Sequence, residues 1–209
     1  MDQFARAIIN GNTITNNNGD GIHLNGYNRE TDILSNTITS NNSDGIYITQ
    51  NNNVDTLDIN HNTITYNSEN GIIAHSSKVH VDSNTVSYNQ KHGIYFNGTY
   101  GYIVGNLITD NGNNYRGINL YSVDGDCEVR NNTINDNDYG ISWYSNNESN
   151  HTLTAKNNSI TYSNDYGFYF QNGYENNAIE YNNSWNNSSG NFYGSVPPGA
   201  GNLTNTNAN

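Results

Sequence analysis

The sequence predicts an all-β fold, a parallel β-helix (solenoid) of about eight coils with three short strands per coil. Two observations point there. First, one module recurs along the chain: Asn36-Thr37-Ile38-Thr39-Ser40-Asn41-Asn42-Ser43-Asp44-Gly45-Ile46-Tyr47-Ile48 has counterparts starting at Asn12, Asn62, Asn84, Asn106, Asn132 and Asn158, and an irregular one from Asn182 to Gly190. Each regular copy runs to a Gly followed by Ile or Phe, and the glycines Gly21, Gly45, Gly71, Gly93, Gly117, Gly140, Gly167 and Gly190 lie 24, 26, 22, 24, 23, 27 and 23 residues apart. Such a period signals stacked repeats, not a globular domain. Second, the aligned copies have columns of β-branched residues alternating with polar ones, which suits half-buried strands.

Each coil reads as three strands. Ile9, Ile33, Ile59, Val81, Ile103, Val129 and Ala155 mark the first, with Leu57, Val79, Cys127 and Leu153 two residues earlier. Ile14, Ile38, Ile64, Val86, Ile108, Ile134 and Ile160 mark the second, and the Gly-Ile-x-Ile/Leu/Phe run the third. The corners carry two Asn columns. One is Asn12, Asn36, Asn62, Asn84, Asn106, Asn132 and Asn158; the other, five residues on, is Asn17, Asn41, Asn67, Asn89, Asn111, Asn137 and Ser163. Stacked coils place like residues about 4.8 Å apart, and an amide both donates and accepts, so each column reads as a hydrogen-bonded ladder. Asn and Gly also suit left-handed turns. A leucine-rich repeat has a similar period, but Leu is sparse here and returns such as Asn146-Asn147-Glu148-Ser149-Asn150 are poor helix formers.

The Asn-Asn-x-Ile-x-x-Asn…Gly-Ile coils resemble the right-handed parallel β-helix repeats of the pectate-lyase-like superfamily over nearly the whole chain. More narrowly they are similar to Asn-rich β-helix domains of archaeal and bacterial surface proteins, including the periplasmic copper-binding β-helix group and the disaggregatases, which cleave a chondroitin-like wall polysaccharide. The resemblance implies the fold and leaves the activity open, because lyases, hydrolases, epimerases and binding proteins share it. The Asn-Thr-Asp, Gly-His-Gly and Arg-Ile-Lys sets of polygalacturonases are missing, as is the Asp cluster of Ca²⁺-dependent pectate lyases.

Composition narrows the partners. With 33% hydrophobic and 12% charged residues, the 209-residue chain suits a narrow solenoid better than a thick core, and one domain follows. A formal charge of -12 with seven Lys plus Arg argues against nucleic acid and anionic membranes as partners. Cys127 is the single cysteine, so disulfides within the chain and cysteine metal sites are excluded. Sequons such as Asn97-Gly98-Thr99 and Asn147-Glu148-Ser149 point to an extracellular or cell-surface location. Residues 1–194 read as the β-helix, opening mid-solenoid as a piece of a longer protein or one capped by end-to-end or homo-oligomer contacts; residues 195–209 read as a polar tail.

Excursions at Asn25 to Glu30, Gln50 to Asp55 and Asn146 to His151 are expected to wall a groove from one corner. Before each Gly stand Asp20, Asp44, Asn70, His92, Arg116, Tyr139 and Tyr166, with Ser43, Glu69, Lys91, Tyr115, Asp138 and Asp165 one earlier. Beside them Tyr47, Tyr95, Tyr121, Tyr144 and Tyr169 face outward as a strip suited to sugar rings, so a polysaccharide containing uronic acid or hexosamine is the expected partner. Two functional classes stand. A polysaccharide lyase or glycoside hydrolase would place its chemistry at Glu69, Lys91, His92, Tyr115, Arg116 and Asp138, with Arg116 clamping a carboxylate and Lys91 or His92 moving a proton, or with paired acids such as Asp44 with Glu69 or Asp138 with Asp165. A noncatalytic structural or glycan-binding repeat needs only the ladders. No cofactor is required; the aligned acids Asp20 with Asp44 and Asp138 with Asp165 are the arrangement that would suit Ca²⁺, without an Asp-x-Asp loop, and His23, His75 and His92 are too scattered for a ready copper or zinc site.

Overall fold

The computed structural model describes residues 7–26, 31–49, 56–75, 78–123, 125–144, 151–171, 177–194 and 199–205. Nearly all of the three expected loop excursions, and residues 1–6 and 195–198, lie outside them. The described residues form three all-parallel sheets of eight, nine and eight strands, each taking every third strand of the chain except at the last step of the nine-stranded sheet. The sequence alignment is the strand register. Ile33, Ile59, Val81, Ile103 and Val129 pair through the first sheet, Ile38 through Ile160 through the second, and Ile46, Ile72, Ile94, Ile118, Ile141 and Phe168 through the third. All are buried, and the three columns meet in one continuous core. Parallel pairing fits a chain whose strands mostly carry an inward apolar, often β-branched, residue at the same position in each coil.

Both Asn columns are ladders of one design. The Asn84 N–H and Nδ2 both donate to Asn106 Oδ1, at 2.9 and 3.0 Å, while Nδ2 also donates to the Ile59 carbonyl at 2.8 Å. Asn36, Asn62, Asn106 and Asn132 repeat the scheme in the first column, and Asn41, Asn67 and Asn89 in the second. Asn84 is 2% exposed and its neighbours in the first column comparably little, so every amide that water would satisfy is satisfied by another coil.

Backbone geometry revises the expected roles of Asn and Gly. The ladder asparagines are not left-handed; the residue before each one is, as in Asn16, Ser35, Ser40, His61, Tyr66, Ser83, Tyr88, Asp110 and Asn131, with φ between 53° and 58°. The Gly-Ile glycines are absent from the left-handed set too. They are required for space: a Cβ on Gly71 would sit 2.4 Å from Val86 Cγ1 and 2.7 Å from the Gly93 carbonyl, and Gly21, Gly45, Gly93 and Gly140 repeat the conflict.

Beyond the eighth coil, Leu203–Asn205 pairs with Asn183–Trp185 as the ninth strand of the second sheet. Asn202 continues the first ladder, accepting from Asn182 N–H and Nδ2 at 2.9 and 3.0 Å and donating to Ile179 O at 2.6 Å. The residues Gly201-Asn202-Leu203-Thr204 repeat the Gly105-Asn106-Leu107-Ile108 pattern, a signal present in a stretch that reads as tail.

Candidate functional site

The corner before each glycine is itself a ladder, built from unlike residues. Asp44 N–H donates to Asp20 Oδ1 at 3.0 Å, Asn70 N–H to Asp44 Oδ1 at 2.7 Å, His92 N–H to Asn70 Oδ1 at 3.1 Å and Arg116 N–H to His92 Nδ1 at 3.0 Å. It runs opposite to the asparagine ladders, each backbone donor reaching the preceding coil instead of the next. The chemistry that these side chains share is an acceptor one or two bonds from the ring or chain branch, which explains why Asp, Asn and His interchange here. Burial pushes the Asp44 carboxyl up, opposed by its bonds from Asn70.

The groups expected to do chemistry are brought together but engaged. Lys91 is ion-paired with Glu69, and that hydrogen bond, ahead of the pair's charge attraction, holds the ammonium above its ordinary range. His92 is 8% exposed, and burial, reinforced by the Arg116 charge, pushes it down to about 3. Its Nδ1 accepts a backbone N–H, so the neutral ring carries its proton on Nε2, 3.3 Å from the Asn119 amide. With its Nδ1 lone pair committed in this way, His92 is a poor proton acceptor near neutral pH, contrary to the expected role. Tyr115 packs edge-on against His92 at 5.0 Å. Asp138 accepts from the Asn114 N–H and, at 2.9 Å, from Asn164 Nδ2. A hydrogen bond to Asp165 pushes the Tyr139 phenol up to about 12, so that carboxylate is occupied too. Asp20 holds His23 Nδ1 at 2.7 Å besides the ladder bond. Among the described residues no group of three or more His, Cys, Asp or Glu side chains is placed to hold a metal ion.

The expected tyrosine strip resolves into two adjacent columns on the outer face of the third sheet. His23, Tyr47, Ile73, Tyr95, Asn119, Ser142 and Tyr169 form one, by register. Thr49, His75, Asn97, Tyr121, Tyr144 and Gln171 form the other. At one end His23, Tyr47, His75, Tyr95 and His92 make a chain of ring contacts with centroids 4.6 to 6.3 Å apart. At the other, Tyr121 and Tyr144 stack at 4.7 Å and 9°.

Between them the first column drops to short polar side chains. Asn119 and Ser142, joined by a 2.7 Å hydrogen bond, floor a hollow of about 270 Å³ walled by Tyr95, Tyr121, Tyr144 and Tyr169, with Arg116 and Gln171 at its rim. Ligand pockets begin at roughly 300 Å³, so this one takes about one ring. Arg116 lies over the Tyr139 ring at 4.7 Å and donates to Asn114 O at 3.2 Å, and its Nε has no hydrogen-bond partner. Lys91, Arg130 and Lys156 each pair with a glutamate; among the described residues no carboxylate lies within ion-pair distance of Arg116. Sequence reasoning missed Asn119, Ser142 and Gln171. The signal was there, since the outward positions of the third strand are aromatic on both sides of Asn119 and Ser142 and polar at those two.

A family model described as "Right handed beta helix region" matches residues 2–86 and 59–208. No curated protein and no solved structure matches the chain.

Proposed function

Since the chain belongs to the right-handed β-helix family, a scaffold that hosts many activities, we propose its function from the site: it binds an anionic polysaccharide at the hollow beside Arg116 and does not cleave it. The observation that carries this reading is the combination of four tyrosine walls, an amide and hydroxyl floor and a guanidinium without a carboxylate partner among the described residues. Tyrosine faces match the apolar C–H faces of a sugar ring, Asn119, Ser142 and Gln171 match its hydroxyls, and a planar guanidinium matches a uronic acid carboxylate two bonds at a time. Cleavage at this hollow would need a free base or a free pair of acids beside it, and Lys91, His92, Asp138 and Asp165 are all engaged. A surface or extracellular setting, where such chains occur, accords with this reading.

Native electrophoresis through gels containing polygalacturonate or chondroitin sulfate tests it. Retardation that weakens about tenfold or more in Arg116→Gln and in Tyr121→Ala is expected, each change removing on the order of 1.4 kcal/mol of contact. Equal mobility of wild type and both variants in every anionic gel would sink the reading. Unsaturated products or new reducing ends after prolonged incubation would overturn its noncatalytic half.

A further inference from the structure

A second surface lies on the corner that follows the second sheet. The residues there occupy the left-handed positions before the second Asn ladder: Tyr66, Tyr88, Asp110, Asp136 and Tyr162 stand on successive coils, with φ between 51° and 57°. Each N–H donates to the next coil, so the side chains are stacked in register. Tyr66 and Tyr88 stack face to face, 5.0 Å and 6° apart. Three coils on, Tyr162 meets Trp185 edge-on at 5.4 Å. The two short aspartates between these aromatic pairs leave a notch, part of an open cleft of about 820 Å³ lined by Tyr66, Tyr88, Asp110, Asp136 and Asn164, with Tyr162 next along the column beyond it.

Two costs make tyrosine an unexpected occupant of this column. A bulky side chain in the left-handed region is disfavoured by about 1–2 kcal/mol, and Asn or Asp takes the same turn more easily, as Asn16, Asp110, Asp136 and Asn186 do here. The rings are also not buried by the fold: Tyr66 is 59%, Tyr88 48% and Tyr162 45% exposed. Stacking of Tyr66 on Tyr88 offsets part of this, about 0.5–1.5 kcal/mol, and the Tyr88 side chain is hydrogen-bonded to Asp110, yet both rings stay about half exposed.

We propose that this notch binds a neutral, hydroxyl-rich sugar chain, with Tyr88 and Tyr162 as the stacking walls and Asp110 and Asp136 accepting from its hydroxyls. Charge selects the ligand. No described residue lining the cleft is basic, and a chain of formal charge -12 with two carboxylates on the floor repels an anionic sugar. The site is therefore complementary to the hollow at Arg116, on a different corner and for a different class of glycan.

The test uses native gels containing dextran, galactomannan or xyloglucan, with polygalacturonate as the charged comparison. Tyr88→Asn and Tyr162→Asn are the informative variants, because Asn suits the left-handed turn and their folding is checked by an unchanged or raised melting temperature. The expected result is retardation in at least one neutral gel, weakened about tenfold or more by either variant and untouched by Arg116→Gln. Lack of retardation in all three neutral gels, retardation confined to polygalacturonate, or retardation that survives both variants overturns the proposal.

Discussion

His92 shows how one residue can look catalytic in a sequence and be structural in the fold. A histidine beside lysine and arginine at a corner invites a proton-transfer role, yet its neighbours up and down the column reveal that the position selects for an acceptor. Asn70 does the same work one coil earlier through Oδ1. His92 Nδ1 accepts the Arg116 N–H, its Nε2 lies 3.3 Å from Asn119 Nδ2, and the Ser142 hydroxyl donates to Asn119 Oδ1 at 2.7 Å. The pH consequence has a definite sign. The unfolded chain protonates His92 near 6.5 and the fold resists until about 3. Between those values the unfolded chain binds the extra proton, so stability is full above about 6.5 and falls on acidification, by at most about 1.4 kcal/mol per pH unit for this group. His75 and His80, also lowered by burial, add in the same direction. His92→Asn keeps the ladder acceptor and removes the titration, so its melting temperature is expected to drop less than that of wild type between pH 7.5 and pH 4.5. An equal drop would show that the acid sensitivity lies elsewhere. Gly71→Ala is expected to destabilise by about 1–3 kcal/mol through overpacking against Val86, whereas Gly19→Ala, with nothing within 4 Å, is expected to be near neutral. Similar melting temperatures for the two would refute the spatial role of the glycine column.

At the scale of the coil, the ladders convert a sequence with few apolar residues into a stable corner. Asn84→Ala strands the Asn62 N–H and the Ile59 carbonyl, both paired through its amide, and is expected to cost about 1–3 kcal/mol in urea unfolding. Asn84→Asp is expected to cost more at neutral pH, because a carboxylate accepts but cannot donate to Asn106 Oδ1 or Ile59 O, and its charge is buried. An aspartate variant as stable as wild type would show that donation is dispensable. The strands, their register and both Asn ladders were legible because each is a repeated column: Ile38, Ile64 and Val86 occupy one position by period alone, and their burial follows. The third ladder was not, since Asp20, Asp44, Asn70 and His92 share an acceptor position but span three residue types. The left-handed turns were misassigned for the same reason. Asn looks like a turn residue, but here it spends its side chain on the ladder and hands the turn to Ser40, Tyr66 or Tyr88. The hollow escaped notice because it is defined by two short side chains, Asn119 and Ser142, among longer ones.

At the scale of the molecule, the solenoid sets a weakly held cation inside a strongly acidic body. The formal charge of -12 repels a polyanion from a distance, while Arg116 at the rim of the tyrosine-walled hollow attracts a single carboxylate at contact. These two forces respond differently to salt. At about 0.01 M ionic strength the screening length is roughly 30 Å, long enough for every acidic coil to act on an approaching chain; at about 0.15 M it is roughly 8 Å, and only the neighbours of the hollow remain in play. A contact made by a half-buried guanidinium that lies over the Tyr139 ring is screened far less than the long-range repulsion. Affinity for polygalacturonate is therefore expected to rise as salt increases from about 0.01 to about 0.15 M, the reverse of the counterion-release behaviour of basic polyanion-binding proteins. Binding of a neutral glycan at the Tyr88 notch should stay flat across the same range, because the ligand carries no net charge for the acidic chain to repel. The measurement is an isothermal titration of each polysaccharide at the two salt concentrations. A fall in polygalacturonate affinity with salt would mean that the polyanion meets a basic patch instead of a single guanidinium, and the hollow at Arg116 would lose its claim to be the site.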